Sequence, residues 1–340
     1  METESKPENQ ENPPEKPTPE QEPQENQQTD GKLRIGIAFG GGGAKGFAHV
    51  GILKVFEKYG IKPDFIAGTS VGSIIGAAYA LGYTAEEIIK RGDSFTKKFS
   101  KFKNFNLFSE SIIKDRNINK AIKELLGEET TFEDVKTPYI ATAVDLESGQ
   151  EITINKGKLW EVARASSAIP FIFTPCFLHE KYLVDGGLLN NVPVDHLREQ
   201  GNLDLIIGIE LGGMTSRQYI SGMVWEKYYK KPKTFEIAPS FLTKWKLNMN
   251  LLAHIFLRSL DIMREVSQKM RFEKARPDIL IKPNVESISL LEFDRYKEGI
   301  EIGIDAAEAA MPKLLKLIEE KKAEKMRKKA QSIIDKQTES

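Results

Sequence analysis

The chain has 340 residues, 40% of them hydrophobic, a single cysteine and a formal net charge of zero. That is enough apolar side chain for a sizeable core, and one cysteine excludes an internal disulfide framework. The charge is unevenly placed: residues 1–30 hold nine acids and two lysines, a net −7, which leaves +7 on the remainder.

Residues 1–31 are Glu, Pro, Gln and Asn with almost no apolar side chains. Such a segment cannot offset its ordering entropy by burial and is expected to be disordered. It contains no apolar signal-peptide core, and no stretch of the chain is long and apolar enough to span a bilayer. A cytoplasmic protein is expected, with peripheral contact to an anionic membrane suggested by the mildly basic body.

From Lys32 onward strands and helices alternate. Strands are predicted at Leu33–Phe39, Asp64–Ala67, Pro138–Asp145, Gln150–Asn155, Tyr182–Val184, Leu203–Leu211 and Asp278–Lys282. Helices are predicted at Ala44–Tyr59, Val71–Leu81 and Lys158–Ala168, with another over Glu292–Leu317 broken around Gly299 and Gly303. This order predicts one α/β domain over about residues 32–318, in three layers, with a mostly parallel central sheet and helices on both faces. Residues 94–116 and 214–250 mix aromatics with lysines and read as insertions, either core of a cap or a lid facing lipid. Residues 319–340 read as a basic helix end or tail, to which anionic lipid is an alternative partner. Cys176, between Pro175 and Phe177, reads as a packing residue.

Two glycine motifs carry the chemistry. Gly40 to Gly43, then Ala44, Lys45 and Gly46, follow the first strand and open a helix, a context shared by dinucleotide-binding loops. Gly68-Thr69-Ser70-Val71-Gly72 follows the second strand and opens a helix of small residues, the context of a nucleophile elbow. A dinucleotide fold wants an acid at the end of the second strand, but Asp64 lies at its start. A Walker loop wants Gly-Lys-Ser/Thr, and Lys45 is flanked by Ala44 and Gly46. Consecutive glycines near a serine instead suit an oxyanion hole.

A serine nucleophile needs a base. Ser70, Asp185 and His196 occur in a hydrolase order, but His196 starts a helix segment beside Arg198. Asp185 ends a short apolar strand before Gly186 and Gly187. On the residues alone it is either the base or a turn aspartate.

Together these residues resemble the patatin-like phospholipase family. Gly41-Gly42-Gly43-Ala44-Lys45-Gly46 is similar to its oxyanion loop and Gly68-Thr69-Ser70-Val71-Gly72 to its nucleophile motif. Ala165-Ser166-Ser167-Ala168-Ile169-Pro170 and Asp185-Gly186-Gly187, followed by Asn191-Val192-Pro193, are similar to its two later blocks. Length and short loops resemble small bacterial members. The resemblance implies a Ser70–Asp185 dyad without histidine and an oxyanion hole from Gly41, Gly42, Gly43 and Ala44. Lys45, Gly46, Gly68, Gly72, Gly186 and Gly187 support them. It implies acyl-ester hydrolysis of phospholipid, lysophospholipid or another fatty-acyl ester through an acyl-enzyme, with no metal or other cofactor. No nucleic-acid partner is expected. Rival readings are a nucleotide-binding protein using Gly40–Gly46, or an idle hydrolase fold serving as a binding module.

Overall fold

The computed structural model describes residues 32–99, 111–212 and 245–338. Among them, eight strands form one sheet: β1 (Ile35–Phe39), β2 (Phe65–Thr69), β3 (Tyr139–Asp145), β4 (Glu151–Ile154), β5 (Cys176–Leu178), β6 (Lys181–Asp185), β7 (Leu205–Ile209) and β8 (Ile279–Ile281). Their order is β5-β6-β3-β2-β1-β7-β8, with β4 also paired to β3. The run β3-β2-β1-β7-β8 is parallel, and β4, β5 and β6 pair antiparallel. Every residue of β1 is buried, as expected of a central parallel strand covered on both faces.

The strand alternation divides the core. Ile35, Ile37 and Phe39 of β1 and Ile66 of β2 face a large apolar cluster. It is built with helices α1 (Phe47–Lys58), α2 (Val71–Ala80), α3 (Ala85–Phe99), α4 (Ser111–Leu126), α5 (Leu159–Ser166) and α8 (Tyr296–Thr338). On the other face Ala38, Ala67, Ile140 and Ile206 meet Val194 and Leu197 of α6 (Val194–Glu199) and Phe272 of α7 (Trp245–Lys274). The expected three-layer α/β arrangement is present.

One expected break is absent. Gly299 and Gly303 lie inside α8, which runs unbroken for 43 residues. A Cβ on Gly303 would sit 2.1 Å from the Ala48 carbonyl oxygen, and one on Gly51 2.0 Å from that of Ile300. These glycines let α1 and α8 meet backbone to backbone and do not end the helix. Residues 319–338 continue α8, so no boundary falls at 319. Lys321 and Lys325 there pair with Asp278 (3.4 Å) and Asp204 (2.7 Å).

The expected insertion at 94–116 occupies the end of α3 and the start of α4, and residues 100–110 lie outside the described residues. Of 214–250, residues 245–250 open α7 and the rest lie outside the described residues, as do residues 1–31. No helix among the described residues is long and apolar enough to cross a membrane. Cys176 is half-buried on β5, where burial raises its thiol pKa.

Candidate active site

The sheet register assembles the site. Thr69, the last residue of β2, pairs with Thr142 of β3, and Ala143 pairs with Asp185 at the end of β6. The turn from β2 into α2 and the end of β6 therefore meet above β3. Ser70 sits in that turn at φ 55° and ψ −127°, a left-handed conformation that is strained for a non-glycine residue. Its surroundings hold it there. The Ser70 amide donates to Ser166 Oγ at 2.9 Å, and Ser166 Oγ donates to the Thr142 carbonyl at 2.7 Å. The Ser70 carbonyl accepts from the Ser73 amide and, at 2.6 Å, from Ser73 Oγ.

Ser70 Oγ donates to Asp185 Oδ2 at 2.6 Å, and the other carboxylate oxygen accepts the Gly187 amide at 2.8 Å. The Asp185 amide is anchored on the Ala168 carbonyl. Through Ser166, the last residue of α5, and Ala168 just beyond it, one stretch of chain thus fixes both partners. Burial raises the Asp185 pKa to about 6, against the opposing pull of Ser70, Gly187 and the Arg264 charge. Its carboxylate is therefore a stronger base than an exposed one.

The glycine loop passes over the same point, but only part of it has free donors. The Gly41 amide is spent on the Asn191 carbonyl at 3.1 Å and the Ala44 amide on the Leu290 carbonyl at 2.8 Å. This corrects the expectation that Gly41 and Ala44 supply oxyanion donors: both N–H groups already hold the loop to distant segments. No acceptor among the described residues takes the N–H of Gly42 or Gly43, and both residues line a pocket of about 50 Å³ with Ser70 and Asp185. Gly43 has φ +57°, and a Cβ there would strike the Leu290 carbonyl at 2.4 Å. Lys45 is buried, and burial followed by repulsion from Arg264 lowers its ammonium pKa.

The supporting glycines mark close approaches. A Cβ on Gly46 would lie 2.3 Å from Val71, on Gly68 2.5 Å from the Gly72 carbonyl, and on Gly186 2.5 Å from the Thr142 carbonyl. One on Gly187 would meet Asp185 Oδ1 at 3.0 Å.

Three contributors escape a reading of sequence motifs. His49 is fully buried, and burial lowers its pKa to about 4. It is therefore neutral, and Nε2 lies 2.7 Å from the Gly40 carbonyl, to which its N–H donates, bracing the loop. Leu290 closes one wall of the pocket. Helix α7 closes another with Leu260, Asp261 and Arg264. Their only sequence signal is a helical stretch carrying charge, which does not reveal where the helix packs.

His196 does not line this pocket. It contacts Glu151 (2.8 Å) and Glu199 (3.0 Å). Burial opposes its charge, yet these acids and Asp195 raise its pKa to about 9. Glu151, Asp195 and His196 have a spacing that could hold a metal ion. Arg271 already bridges both acids, Asn190 Nδ2 donates to both, and His196 is protonated, so positive charge fills that place. The cluster instead docks α7. Ser267 Oγ and Arg271 Nε donate to the Leu189 carbonyl, and Gln268 Oε1 accepts the Val192 amide. These bonds seat the segment that carries Asn191.

Residues 37–198 match the family model described as patatin-like phospholipase. The chain is 29% identical over 281 residues to lysophospholipase NTE1 of Candida glabrata, which covers 80% of this chain and 16% of that protein. It is 28% identical over 295 residues to patatin-like phospholipase domain-containing protein ZK370.4 of Caenorhabditis elegans, covering 83% of this chain and 21% of that one. The chain thus spans about a fifth of the length of these eukaryotic relatives. The crystal structure of VipD from Legionella pneumophila is similar over 82% of this chain and 67% of that one, with 14% identity and a TM-score of 0.43.

Proposed function

We propose that the chain, whose residues 37–198 match the patatin-like phospholipase family model, is a lipid acyl hydrolase with Ser70 as nucleophile and Asp185 as base. The observation that carries this reading is the 2.6 Å bond from Ser70 Oγ to Asp185 Oδ2, in a pocket that also exposes Gly42 and Gly43. Asp185 takes the hydroxyl proton as Ser70 Oγ attacks the ester carbonyl. The amides of Gly42 and Gly43 hold the oxyanion, aided by the N-terminus of α2. Asp185 returns the proton to the leaving alcohol, leaving an acyl-enzyme. Water, deprotonated by Asp185, then releases the fatty acid. A phospholipid or lysophospholipid is the proposed substrate, in keeping with the names of the relatives. A fluorophosphonate probe and a short-chain nitrophenyl ester test the reading. Labelling and turnover support it, and a wild-type protein inert to both, with lipid vesicles present, overturns it.

The nucleotide-binding alternative loses support from the position of Asp64. Its carboxylate accepts the Ile35 amide at the start of β1, the end of the sheet away from the glycine loop.

An apolar cavity of about 280 Å³ adjoins the same loop at Gly43, lined by Phe47, Val71, Ile74, Ile75, Ile88 and Phe293 among others. At roughly 30 Å³ per water-sized unit it has room for a medium-length acyl chain. It is the proposed acyl site. Ile75→Trp, which fills it, is expected to cut kcat/KM for a dodecanoyl nitrophenyl ester by about ten-fold or more relative to a butanoyl ester. Equal changes across a chain-length series would place the acyl chain elsewhere.

A further inference from the structure

Helix α7 brings two charged side chains to the pocket that acyl transfer does not use. The Asp261 side chain is 0% exposed and accepts from Arg258 Nη1 at 2.8 Å and from Arg264 Nη2 at 2.6 Å. A buried carboxylate is costly unless paired, and this one is spent on orienting two guanidinium groups. Arg258 has a second acid, Glu265, at 3.6 Å. Among the described residues, Arg264 has only neutral oxygens beyond Asp261: Asn191 Oδ1 and the Gly212 carbonyl, each at 3.4 Å. Those bonds are long against the usual 2.9–3.0 Å. A guanidinium presents five donors in a planar fork and binds best to paired anionic oxygens. Here the fork lies in the wall of the pocket that holds Ser70 and Asp185, and no second anion among the described residues fills it.

We propose that Arg264, held by Asp261, binds the phosphate of the substrate headgroup, so that the site selects phosphate-bearing acyl lipids over neutral glycerides. This rests on the hydrolase reading above. With the ester carbonyl at Gly42 and Gly43, the phosphate of a glycerophospholipid lies on the leaving-alcohol side, a few bonds away. The α7 wall is the cationic part of the pocket available to receive it. Arg264 is a specificity residue, and the proton transfers stay with Ser70 and Asp185.

The test measures kcat and KM for lysophosphatidylcholine and for a monoacylglycerol of the same chain, using wild type, Arg264→Gln and Arg264→Lys. Inorganic phosphate is added as a competitor against the neutral substrate. The expected result is a loss of kcat/KM for Arg264→Gln that is about ten-fold greater on lysophosphatidylcholine, carried mainly by KM. Arg264→Lys should recover part of the loss, and phosphate inhibition should weaken in the Gln variant. Equal losses on both lipids, or a pH profile displaced equally on both, would mean that Arg264 acts only on packing or on Asp185, and would overturn the proposal. Arg264-dependent phosphate inhibition with an unchanged preference between lipids would assign the site to free phosphate and likewise overturn it. A wild type that turns over neither lipid sinks the hydrolase reading itself.

Discussion

Ser70→Ala and Asp185→Asn are each expected to lower ester turnover by on the order of a thousand-fold, and the double variant by little more, because the two groups act as one unit. The same Asp185→Asn change is expected to make the protein more stable at neutral pH. The sign follows from proton binding. Burial raises the carboxyl from 3.8 in an ordinary setting to about 6 in the fold. Between these values the folded state holds more protons than the unfolded one, so stability falls as pH rises through that window. Above about pH 6 the buried charge costs the wild type about 3 kcal/mol. The asparagine variant does not carry that cost. Its melting temperature should exceed the wild type's at pH 8, and the gap should close below about pH 4. Wild-type kcat/KM should fall as pH drops through about 6, where the base becomes protonated. Thermal melts at pH 4 and 8, beside a pH–rate profile, check both halves. An asparagine variant that melts no higher than wild type at pH 8 would mean that Asp185 is better solvated than its surroundings indicate.

Gly72→Ala is expected to be the most damaging single-methyl change near the site. Its Cβ would lie 2.2 Å from the Phe39 carbonyl oxygen and 2.7 Å from that of Gly40. Neither neighbour can give way easily. Phe39 is the buried last residue of central strand β1, and the Gly40 carbonyl is held by His49 at 2.7 Å. Relief must come from pushing α2, and Ser70 with it, away from the glycine loop. A destabilisation of about 3 kcal/mol is expected, with a loss of activity larger than the fraction unfolded explains. Chemical denaturation and kcat measured on the folded variant separate the two effects. A variant with wild-type kcat would show that the spacing between loop and nucleophile is less critical than these contacts imply.

The parts of the molecule legible in sequence are those whose cause is local. The apolar run Ile35–Phe39 and the alternation of strands with helices report a covered parallel sheet, because burial on both faces leaves no polar periodicity. The serine turn lies where Gly68 and Gly72 suggest, since a sharp strand-to-helix turn needs small neighbours on either side. What sequence missed depends on distant partners. Nothing near Gly41 or Ala44 announces that their amides are taken by Asn191 and Leu290, so four candidate donors reduce to two. Gly299 and Gly303 look like breaks until Ala48 is seen against them. Helix α7 gave no motif at all, because Asp261 and Arg264 gain their meaning only from docking beside Asn191 and Gly187.

That docking has a consequence for how the molecule can change. Ser70, Asp185 and the glycine loop lie within residues 37–198, whereas Leu260, Asp261 and Arg264 lie well beyond them. The chemistry and one wall of its pocket are written in separate stretches of chain that meet only after folding. If α7 receives the leaving group as proposed, substitutions on its inner face retune recognition while Ser70 and Asp185 stay untouched. Grafting α7 between relatives, with its anchors Ser267, Gln268 and Arg271 retained, becomes a route to new selectivity on an unaltered reaction.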